Sequence, residues 1–412
     1  MKWIKKNFGK VMGDSLYRNS LYMMISTLIM SFLGFVFWMV IARNYTTSEV
    51  GLATTIISVM GLITSFSLLG LNVGLIRYLP RAKDKSRKIN TCFSLVGVVA
   101  VIVTSVFLLG LSVFSPKLLF IRESLIFSFS FIFFMVVSCW ASLIDSIFVA
   151  FRNAKFILVK NVTFSSLKIV FPFLFLGLGA YGIFGAWMTS LFVAVVLSMF
   201  ILVKKFDYKP KLVFHDSIIK KIGKYSFGNY VAGFIGGLPL MILPLMILNS
   251  LGAETTAYYY MAMMIATLLF TIPQATSQSL FAEGSYDEKN LKVQVWKAVK
   301  IISLILIPGI LITVFFGNWI LLLFGKEYSS EGFRFLQILA LSGIFVGGNK
   351  VFENVLRIEK RIRSILWVNI IGAVVILGGS YLLLGGGLLS IGYVWLGGQV
   401  VISLIYLGLL KR

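Results

Sequence analysis

The sequence predicts an all-α integral membrane protein. It predicts twelve transmembrane helices in two six-helix lobes, related by a pseudo-two-fold axis along the membrane normal. Of the 412 residues, 58% are hydrophobic and only 13% are charged, and the mean hydropathy is +0.94. About a quarter of the residues in a soluble chain are charged, so this composition excludes a soluble protein. Regularly spaced apolar stretches and one-sided basic loops supply the helix count and the topology.

The spanning helices are read from apolar stretches of about 20 residues, the length needed to cross the hydrocarbon core. The twelve predicted spans are 20–42, 50–76, 91–115, 124–150, 161–180, 181–203, 225–250, 255–281, 300–324, 332–356, 364–385 and 388–410. Two divisions within this set depend on glycine. They are the division near Gly182 and the turn at Gly385, Gly386 and Gly387.

The topology follows from the distribution of lysine and arginine. Thirty-one of the 38 basic residues fall in the two termini and in the loops that follow even-numbered spans. Five fall in the opposite loops, and Lys168 and Lys350 lie inside spans. Because basic residues are enriched in cytoplasmic loops, we expect a plasma-membrane protein with both termini cytoplasmic. This asymmetry accounts for most of the net charge of +23 without a nucleic-acid partner.

The central basic loop divides the twelve spans into six and six. The predicted organisation is a cytoplasmic basic arm (1–19), an N-terminal lobe (20–203), a cytoplasmic linker (204–224) and a C-terminal lobe (225–412). A weak internal repeat supports this division, because "TTSEVGL" at 46–52 and "GAETTAY" at 252–258 both lead into a second span. Each half has an even number of spans, so both halves have the same orientation.

The sequence lacks the residue patterns that metal sites, cofactor sites and nucleotide-binding loops require. Cys92 and Cys139 both lie in apolar runs, and we expect neither a metal site nor a cofactor. "GLGAYG" at 177–182 matches a dinucleotide-binding pattern, but no strand precedes it, so its glycines are interpreted as a helical turn. A phosphate-binding GxxxxGK[ST] motif is absent from the sequence.

Ionisable residues inside the spans are candidate functional residues because they are costly in lipid. Asp145 and Lys168 lie in helices 4 and 5, and the structural interpretation pairs them with each other. Lys350, Glu353 and Arg357 lie at i, i+3 and i+7 of helix 10, so we expect them to share a face and to pair. The functional alternative is that some of these side chains face a water-filled cavity.

Amides inside helices 2 and 8 form a second group of candidates. Gln274 and Gln278 share one face of helix 8, and Asn72 lies in helix 2. Either they form interhelical hydrogen bonds or they line a polar lumen. An offset of 206 residues places Arg77, near the end of helix 2, opposite Glu283 in the second half. We expect Arg77 at the cytoplasmic mouth of a cavity, as a gate or a substrate-entry charge.

The segment at 42–81, "ARNYTTSEVGLATTIISVMGLITSFSLLGLNVGLIRYLPR", resembles the polysaccharide-transporter branch of the MOP superfamily. Members of this branch are Wzx-type flippases of lipid-linked oligosaccharides. "FRNAKFILVKN" after helix 4, "GLGAYGIFGAWMTSL" between helices 5 and 6, and "LGAETTAYYYMA" entering helix 8 are similar to the corresponding family segments. The resemblance covers essentially the whole chain and implies a MATE-like fold.

The resemblance also implies a function. Such a protein moves a lipid-linked glycan from the cytoplasmic to the outer leaflet by alternating access, with cationic cavity residues holding the phosphate. The candidates for that role are Arg18, Arg77 and Lys168, of which the family motif places only Arg77. Because Arg77 lies at the cytoplasmic mouth, the central phosphate site stays unassigned, and the alternative is a mostly polar cavity in which Asn72, Gln274 and Gln278 face sugars. The implied partners are the glycan substrate, membrane lipids and H⁺ or Na⁺ as a coupling ion, and the expected state is a monomer.

Three alternatives remain open. A peptidoglycan-precursor flippase would show the same features. A multidrug or cation antiporter on a related fold needs embedded carboxylates, and only Asp145 and Glu353 lie well inside spans. A membrane enzyme such as a glycan polymerase needs a catalytic site, often on a large outer loop, and the outer loops here are short. We therefore expect a transporter and not an enzyme.

Overall fold

The computed structural model of the protein describes residues 15–213, 216–286 and 290–410. Within these residues it is helical and has no strand. The long helices are α1 (Ser15–Asn44), α2a (Thr47–Ser67), α3 (Lys85–Leu109), α4 (Leu125–Ala150), α5 (Lys155–Val170), α6 (Gly179–Phe206), α7 (Asp216–Leu251), α8 (Ala253–Tyr286), α9 (Leu291–Leu322), α10 (Lys326–Ile358), α11 (Ile362–Leu383) and α12 (Gly387–Leu410). A short helix, α2b (Leu71–Tyr78), follows α2a. Residues 1–14 of the predicted basic arm lie outside the described residues.

The described residues carry the predicted number of spans. Eleven stretches are long and apolar enough to cross a membrane. The last of them, Ile362–Leu410, contains two helices, α11 and α12, joined by a 3₁₀ turn at Leu384–Gly386. Gly387 follows that turn with φ 76°, a backbone conformation that favours glycine. The twelve-helix membrane fold is therefore confirmed, including the predicted division at the glycine-rich turn.

The described parts of residues 1–44 and 60–230 form one compact unit. Within it, α1 packs on α5, α5 on α6, α3 on α4, and α4 on both α6 and α2b. Aromatic side chains from three of these helices are fully buried: Phe37, Phe131, Phe148 and Phe184.

The described parts of residues 45–59 and 231–412 form the second unit. Here α10 is the central helix, in contact with α8, α9 and α12, while α11 packs on α12. Its glycines allow close packing, since a Cβ at Gly347 would lie 3.2 Å from Leu306 Cδ2. The first part of α2a belongs to this unit, and a Cβ at Gly51 would lie only 1.7 Å from the carbonyl oxygen of Ala253.

Helix 2 is interrupted, whereas the sequence predicted a continuous span over 50–76. Leu69 and Gly70 have φ values of 49° and 75°, which end α2a and start α2b in a new direction. The Tyr230 hydroxyl donates hydrogen bonds to the carbonyls of Ser65 (2.6 Å) and Phe66 (3.0 Å) at the end of α2a. Freed backbone carbonyls are costly in a membrane, so these contacts stabilise the interruption.

The connection between α5 and α6 also differs from the prediction, which ended helix 5 at residue 180. α5 ends at Val170, and two 3₁₀ turns precede α6 at Gly179. Pro172 lies in the first of these turns, where its missing N–H prevents the α-helix from continuing. A Cβ at Gly182 would lie 2.2 Å from the Phe175 carbonyl oxygen, so this glycine allows the turn to pack against α6.

The predicted linker 204–224 is shorter than expected, because α6 extends to Phe206 and α7 begins at Asp216. The extended segment between them lies along the first turns of α3. Tyr208 Oη donates to Asn90 Oδ1 (2.6 Å), and Asn90 Nδ2 donates to the Lys209 carbonyl (2.8 Å). The Lys209 amide donates to the Ser86 hydroxyl and the Val213 amide donates to the Ser94 hydroxyl. Both of these hydrogen bonds have a donor–acceptor distance of 3.3 Å. Burial raises the pKa of Tyr208 to about 12, so its hydroxyl remains a donor.

Candidate functional site: a polar cavity and a buried lysine

The second unit contains a cavity of about 330 Å³. Its lining combines amides and hydroxyls with one ion pair and aromatic edges, supplied by α7, α8, α10, α11 and α12. The lining residues are Gly236, Leu240, Thr267, Phe270, Thr271, Gln274, Val346, Asn349, Lys350, Glu353, Asn369, Trp395, Gln399, Ile402 and Tyr406. Three of the predicted site residues, Gln274, Lys350 and Glu353, therefore meet at one cavity.

The charged side of this cavity is a cluster of three residues on α10. Lys350 Nζ lies 2.9 Å from Glu353 Oε2, and Arg357 Nη2 lies 2.5 Å from Glu353 Oε1. The expected pairing on one helix face is thus confirmed. The Glu353 side chain is 11% exposed and Lys350 is 37% exposed, so the carboxylate lies beneath its partners. Both carboxylate oxygens are engaged, and the cluster has an excess of one positive charge.

An amide network forms another part of the cavity wall. Asn349 Nδ2 donates to the backbone carbonyl (3.1 Å) and to Oε1 (3.0 Å) of Gln399 on α12. Asn349 Oδ1 accepts from the Ser403 hydroxyl (2.7 Å). Asn369 on α11 donates to the Ala232 carbonyl on α7 (2.9 Å). These bonds fix amide groups from three helices at the cavity wall.

The first unit contains an ion pair that corrects one expectation. Asp145 pairs with Lys160 (Nζ to Oδ2, 2.7 Å) and not with Lys168, so the predicted partner is wrong. The reason is the start of α5 at Lys155, before the predicted 161, which brings Lys160 inside the helix. Asp145 is five residues before the end of α4 and Lys160 five residues after Lys155, so the two lie at similar depth.

Lys168 is instead surrounded by aromatic rings. Its ammonium nitrogen lies 4.7 Å from the ring centroid of Trp187, 4.9 Å from Phe164 and 5.4 Å from Phe37. These distances are within the range of cation–π contacts. The residue is 3% exposed. On the side of α1, Gly34 leaves room, since a Cβ there would lie 3.8 Å from Nζ.

The environment of Lys168 is notable for its charge and its depth. Among the described residues, no carboxylate oxygen lies within 4.0 Å of its ammonium nitrogen. It lies 13 positions after Lys155, the first residue of α5. At 1.5 Å per residue this is about 20 Å along the helix, about two thirds of the way across a core about 30 Å thick. An embedded cation of this kind is a candidate anion site.

The remaining predicted residues lie apart from the cavity lining. Asn72 is half-buried on α2b, and its Oδ1 has no hydrogen-bond partner among the described residues. Arg77 is exposed on the same helix, with its guanidinium carbon 5.7 Å from the Tyr78 ring centroid. Gln278 and Glu283 are exposed on α8, and Arg18 is half-buried on α1. Their proposed roles in binding or gating stay predictions.

Most of the cavity lining escaped the sequence reasoning, including Asn349, Asn369, Trp395 and Gln399. The sequence contains a signal for three of them, because amides are uncommon inside apolar spans and these lie in helices 10, 11 and 12. Lys160 was also missed, because the sequence placed it in the loop before helix 5. An earlier helix start would have put it in the membrane opposite Asp145.

A family model described as "Polysaccharide biosynthesis protein" matches residues 16–281, about two thirds of the chain. The chain belongs to this family. A second family model, described as "MatE", matches residues 239–382 within the second half of this family member. The resemblance drawn from residues 42–81 is thereby confirmed. No curated protein sequence matches the chain at a significant level.

Solved structures share the fold. One is an inward-facing multidrug resistance MATE family transporter of the MOP superfamily, with 17% identity, TM-score 0.71, and coverage of 94% of this chain and 96% of that one. Another is the lipid II flippase MurJ in an inward closed conformation, with 12% identity, TM-score 0.76, and coverage of 95% and 87%. A MOP superfamily transporter from Pyrococcus furiosus, whose description reports a binding pocket of reversed polarity, has 15% identity, TM-score 0.65, and coverage of 95% and 93%. At these identities the likeness establishes the fold alone.

Proposed function

We propose that this member of the polysaccharide biosynthesis protein family is a flippase. It moves a lipid-linked oligosaccharide or polysaccharide repeat unit from the cytoplasmic to the outer leaflet of the plasma membrane by alternating access. The substrate leaves chemically unchanged, and the protein acts as a monomer with both termini cytoplasmic. The observation that carries the proposal is Lys168, a buried cation in the last turn of α5 that faces aromatic rings and no described carboxylate.

The chemistry of a lipid-linked glycan explains why such a lysine is useful. Its phosphate or diphosphate is the part of the molecule that is most costly to bring into the membrane. An ammonium group forms strong charge-assisted hydrogen bonds with phosphate oxygens. Burial in a low-dielectric site strengthens that attraction. Lys168 therefore offers compensation for the phosphate at the depth where water offers least.

The embedded acids argue against the cation antiporter. Transport of a cation or a drug cation through the spans needs a carboxylate that is free to bind it. Both embedded acids have basic partners: Asp145 Oδ2 is paired with Lys160, while its Oδ1 has no hydrogen-bond partner among the described residues, and both oxygens of Glu353 are engaged by Lys350 and Arg357. The described spans thus hold more cations than acids, a balance that favours an anionic substrate.

The direct test is transport in proteoliposomes, with a polyprenyl diphosphate-linked oligosaccharide that carries a fluorophore on its sugar. Lys168→Met should lower the flipping rate at least tenfold, because a charge-assisted hydrogen bond contributes about 1.5–3 kcal/mol and 1.4 kcal/mol is a factor of ten. Lys155→Met is the matched control, since Lys155 is an exposed lysine on the same helix with its Nζ 4.9 Å from the Phe156 ring centroid.

Other outcomes separate the alternatives. Transport of a cationic dye without glycan transport would contradict the proposal. Transport of a lipid-linked peptidoglycan precursor in preference to other glycans would identify the substrate as that precursor. Imposed H⁺ and Na⁺ gradients, each dissipated in turn by an ionophore, would identify the coupling ion. In cells, deletion of the gene should cause the lipid-linked glycan to accumulate on the cytoplasmic leaflet.

A further inference from the structure

We propose that the cavity of the second unit binds a sugar ring that carries a carboxylate, so that the protein prefers glycans with an acidic sugar. This inference rests on the proposed function and concerns a different part of the substrate from the phosphate assigned to Lys168. Three features carry it: the charge of the α10 cluster, the chemistry of the remaining wall, and the volume of the cavity.

The α10 cluster presents positive charge to the cavity. One Glu353 oxygen accepts from Lys350 at a distance of 2.9 Å and the other accepts from Arg357, so both oxygens of the carboxylate already have a basic partner. A lysine ammonium has three N–H donors, and the hydrogen bond from Lys350 to Glu353 uses one of them. Lys350 lines the cavity and is more than one third exposed. The charge offered to a ligand is therefore positive.

An ion pair that served only to neutralise an acid on α10 would need one cation for one acid. Here two cations share a single carboxylate, within a helix that spans the membrane. An excess cation in such a position is costly unless an anion or water compensates it. A carboxylate from the ligand, placed beside Lys350, provides that compensation and makes the number of acids equal to the number of cations.

The rest of the wall suits a hydroxylated ring more than an isolated phosphate. The amides of Gln274, Asn369 and Gln399 come from three different helices and surround the space. Each amide offers donors and an acceptor, the combination that sugar hydroxyls require. Trp395 contributes an apolar surface and is itself held by a hydrogen bond from its indole Nε1 to Ser342 Oγ (3.1 Å).

The volume agrees with a small ligand portion. About 330 Å³ lies at the lower end of the range of about 300–1,000 Å³ that is typical of ligand pockets. A cavity of this size holds a short part of a repeat unit and not the whole glycan. The site would then recognise one acidic sugar of the repeat and tolerate variation elsewhere.

The test uses two lipid-linked oligosaccharides that differ only in one sugar, glucuronic acid in one and glucose in the other. Flipping is measured for each in proteoliposomes of the full-length protein. We expect the acidic glycan to be transported at least tenfold more efficiently. Lys350→Gln should reduce the acidic-to-neutral ratio at least fivefold, and Lys350→Arg should retain most of it. Lys326→Gln removes the same charge from an exposed site at the start of α10 and should leave the ratio unchanged.

A binding measurement separates this inference from the proposed function. Tryptophan fluorescence is followed while a soluble glucuronate-containing disaccharide, its glucose analogue, or inorganic diphosphate is added to the detergent-solubilised protein. Acidic binding that Lys350→Gln weakens would support the inference even if no glycan were flipped, in which case only the proposed function fails. Equal transport and binding of both sugars would overturn the inference while leaving the flippase intact. So would tighter binding of diphosphate than of the acidic sugar, or equal losses for both glycans in Lys350→Gln.

Discussion

The ammonium nitrogen of Lys160 lies 2.7 Å from Oδ2 of Asp145, and each residue is five positions from the facing ends of α4 and α5. The helices are joined by a short turn, so equal spacing along each helix brings the two charges to one level. Lys160 is 5% exposed and Asp145 is 36% exposed. The pair therefore connects the two helices near the predicted cytoplasmic side.

Breaking this pair should destabilise the first unit. Asp145→Ala leaves a buried lysine without its partner, and such changes cost about 3–5 kcal/mol. We expect a value of about 3 kcal/mol, at the lower end, because the aspartate is partly exposed. Thermal unfolding in detergent measures the change. The double variant Asp145→Asn with Lys160→Met should recover most of the loss, because it removes both charges. Equal instability of the double variant would contradict the role assigned to the pair.

Gly51→Ala should disturb the packing of α2a against the start of α8. The new Cβ would lie 1.7 Å from the Ala253 carbonyl oxygen, a backbone atom that has little freedom to move. Overpacking of this kind costs about 1–3 kcal/mol, and occasionally more, so we expect a loss of at least about 3 kcal/mol in thermal unfolding. Gly61→Ala is the matched control on the same helix, because a Cβ there meets nothing within 4 Å. Indistinguishable stabilities for the two variants would exclude the close approach.

Tyr208→Phe should loosen the segment that lies along α3. The substitution removes the hydrogen bond to Asn90 and should cost about 1 kcal/mol. Hydrogen exchange at the Lys209 and Val213 amides, both bonded to serines of α3, should become faster. Unchanged exchange would show that the hydroxyl does not hold this segment.

The same contact has a defined pH dependence. Burial raises the pKa of Tyr208 from 10.0 to about 12, so folding favours the protonated phenol. Its contribution to stability is complete below pH 10 and is lost as the pH rises from about 10 to about 12. The difference in stability between the wild type and Tyr208→Phe should therefore stay constant between pH 6 and pH 9. A change within that interval would contradict the assignment.

Cysteine labelling should establish the orientation of the chain. The two natural cysteines, Cys92 and Cys139, are buried and should react slowly with a membrane-impermeant maleimide. Lys117→Cys introduces an exposed thiol in a predicted outer loop, and Lys209→Cys introduces one in the predicted cytoplasmic segment. In intact cells the thiol of Lys117→Cys should be labelled and the thiol of Lys209→Cys should not. Permeabilising the membrane should allow Lys209→Cys to be labelled as well. The reverse pattern would invert the topology drawn from the basic residues.

The fold was largely predictable because its signals are strong and local. Apolar length identifies the spans, and Gly387 marks the turn between α11 and α12. The interruption at Leu69 was not predictable, since the backbone carbonyls of Ser65 and Phe66 before it are bonded by a residue distant in sequence, Tyr230. The start of α7 at Asp216 was missed because charged residues in its first turns resemble a loop.

The candidate site was predictable only in part. The α10 cluster follows from helical spacing alone, so its geometry could be inferred in advance. The partner of Asp145 depended on where α5 begins, and a shift of six residues replaces Lys168 by Lys160. The aromatic surroundings of Lys168 come from three helices. The sequence pattern of one helix does not predict which side chains of the neighbouring helices will contact it.

The depth of Lys168 has an electrical consequence. A charge about 20 Å along α5 lies within the transmembrane field, where one elementary charge gains or loses about 2.3 kcal/mol per 100 mV over the full potential. Under the proposed function, one lysine would leave a bound diphosphate with net negative charge. With the cell interior negative, the outward movement of that complex is favoured by the membrane voltage itself. The resting potential would thus contribute to the export of each glycan in proportion to its uncompensated charge.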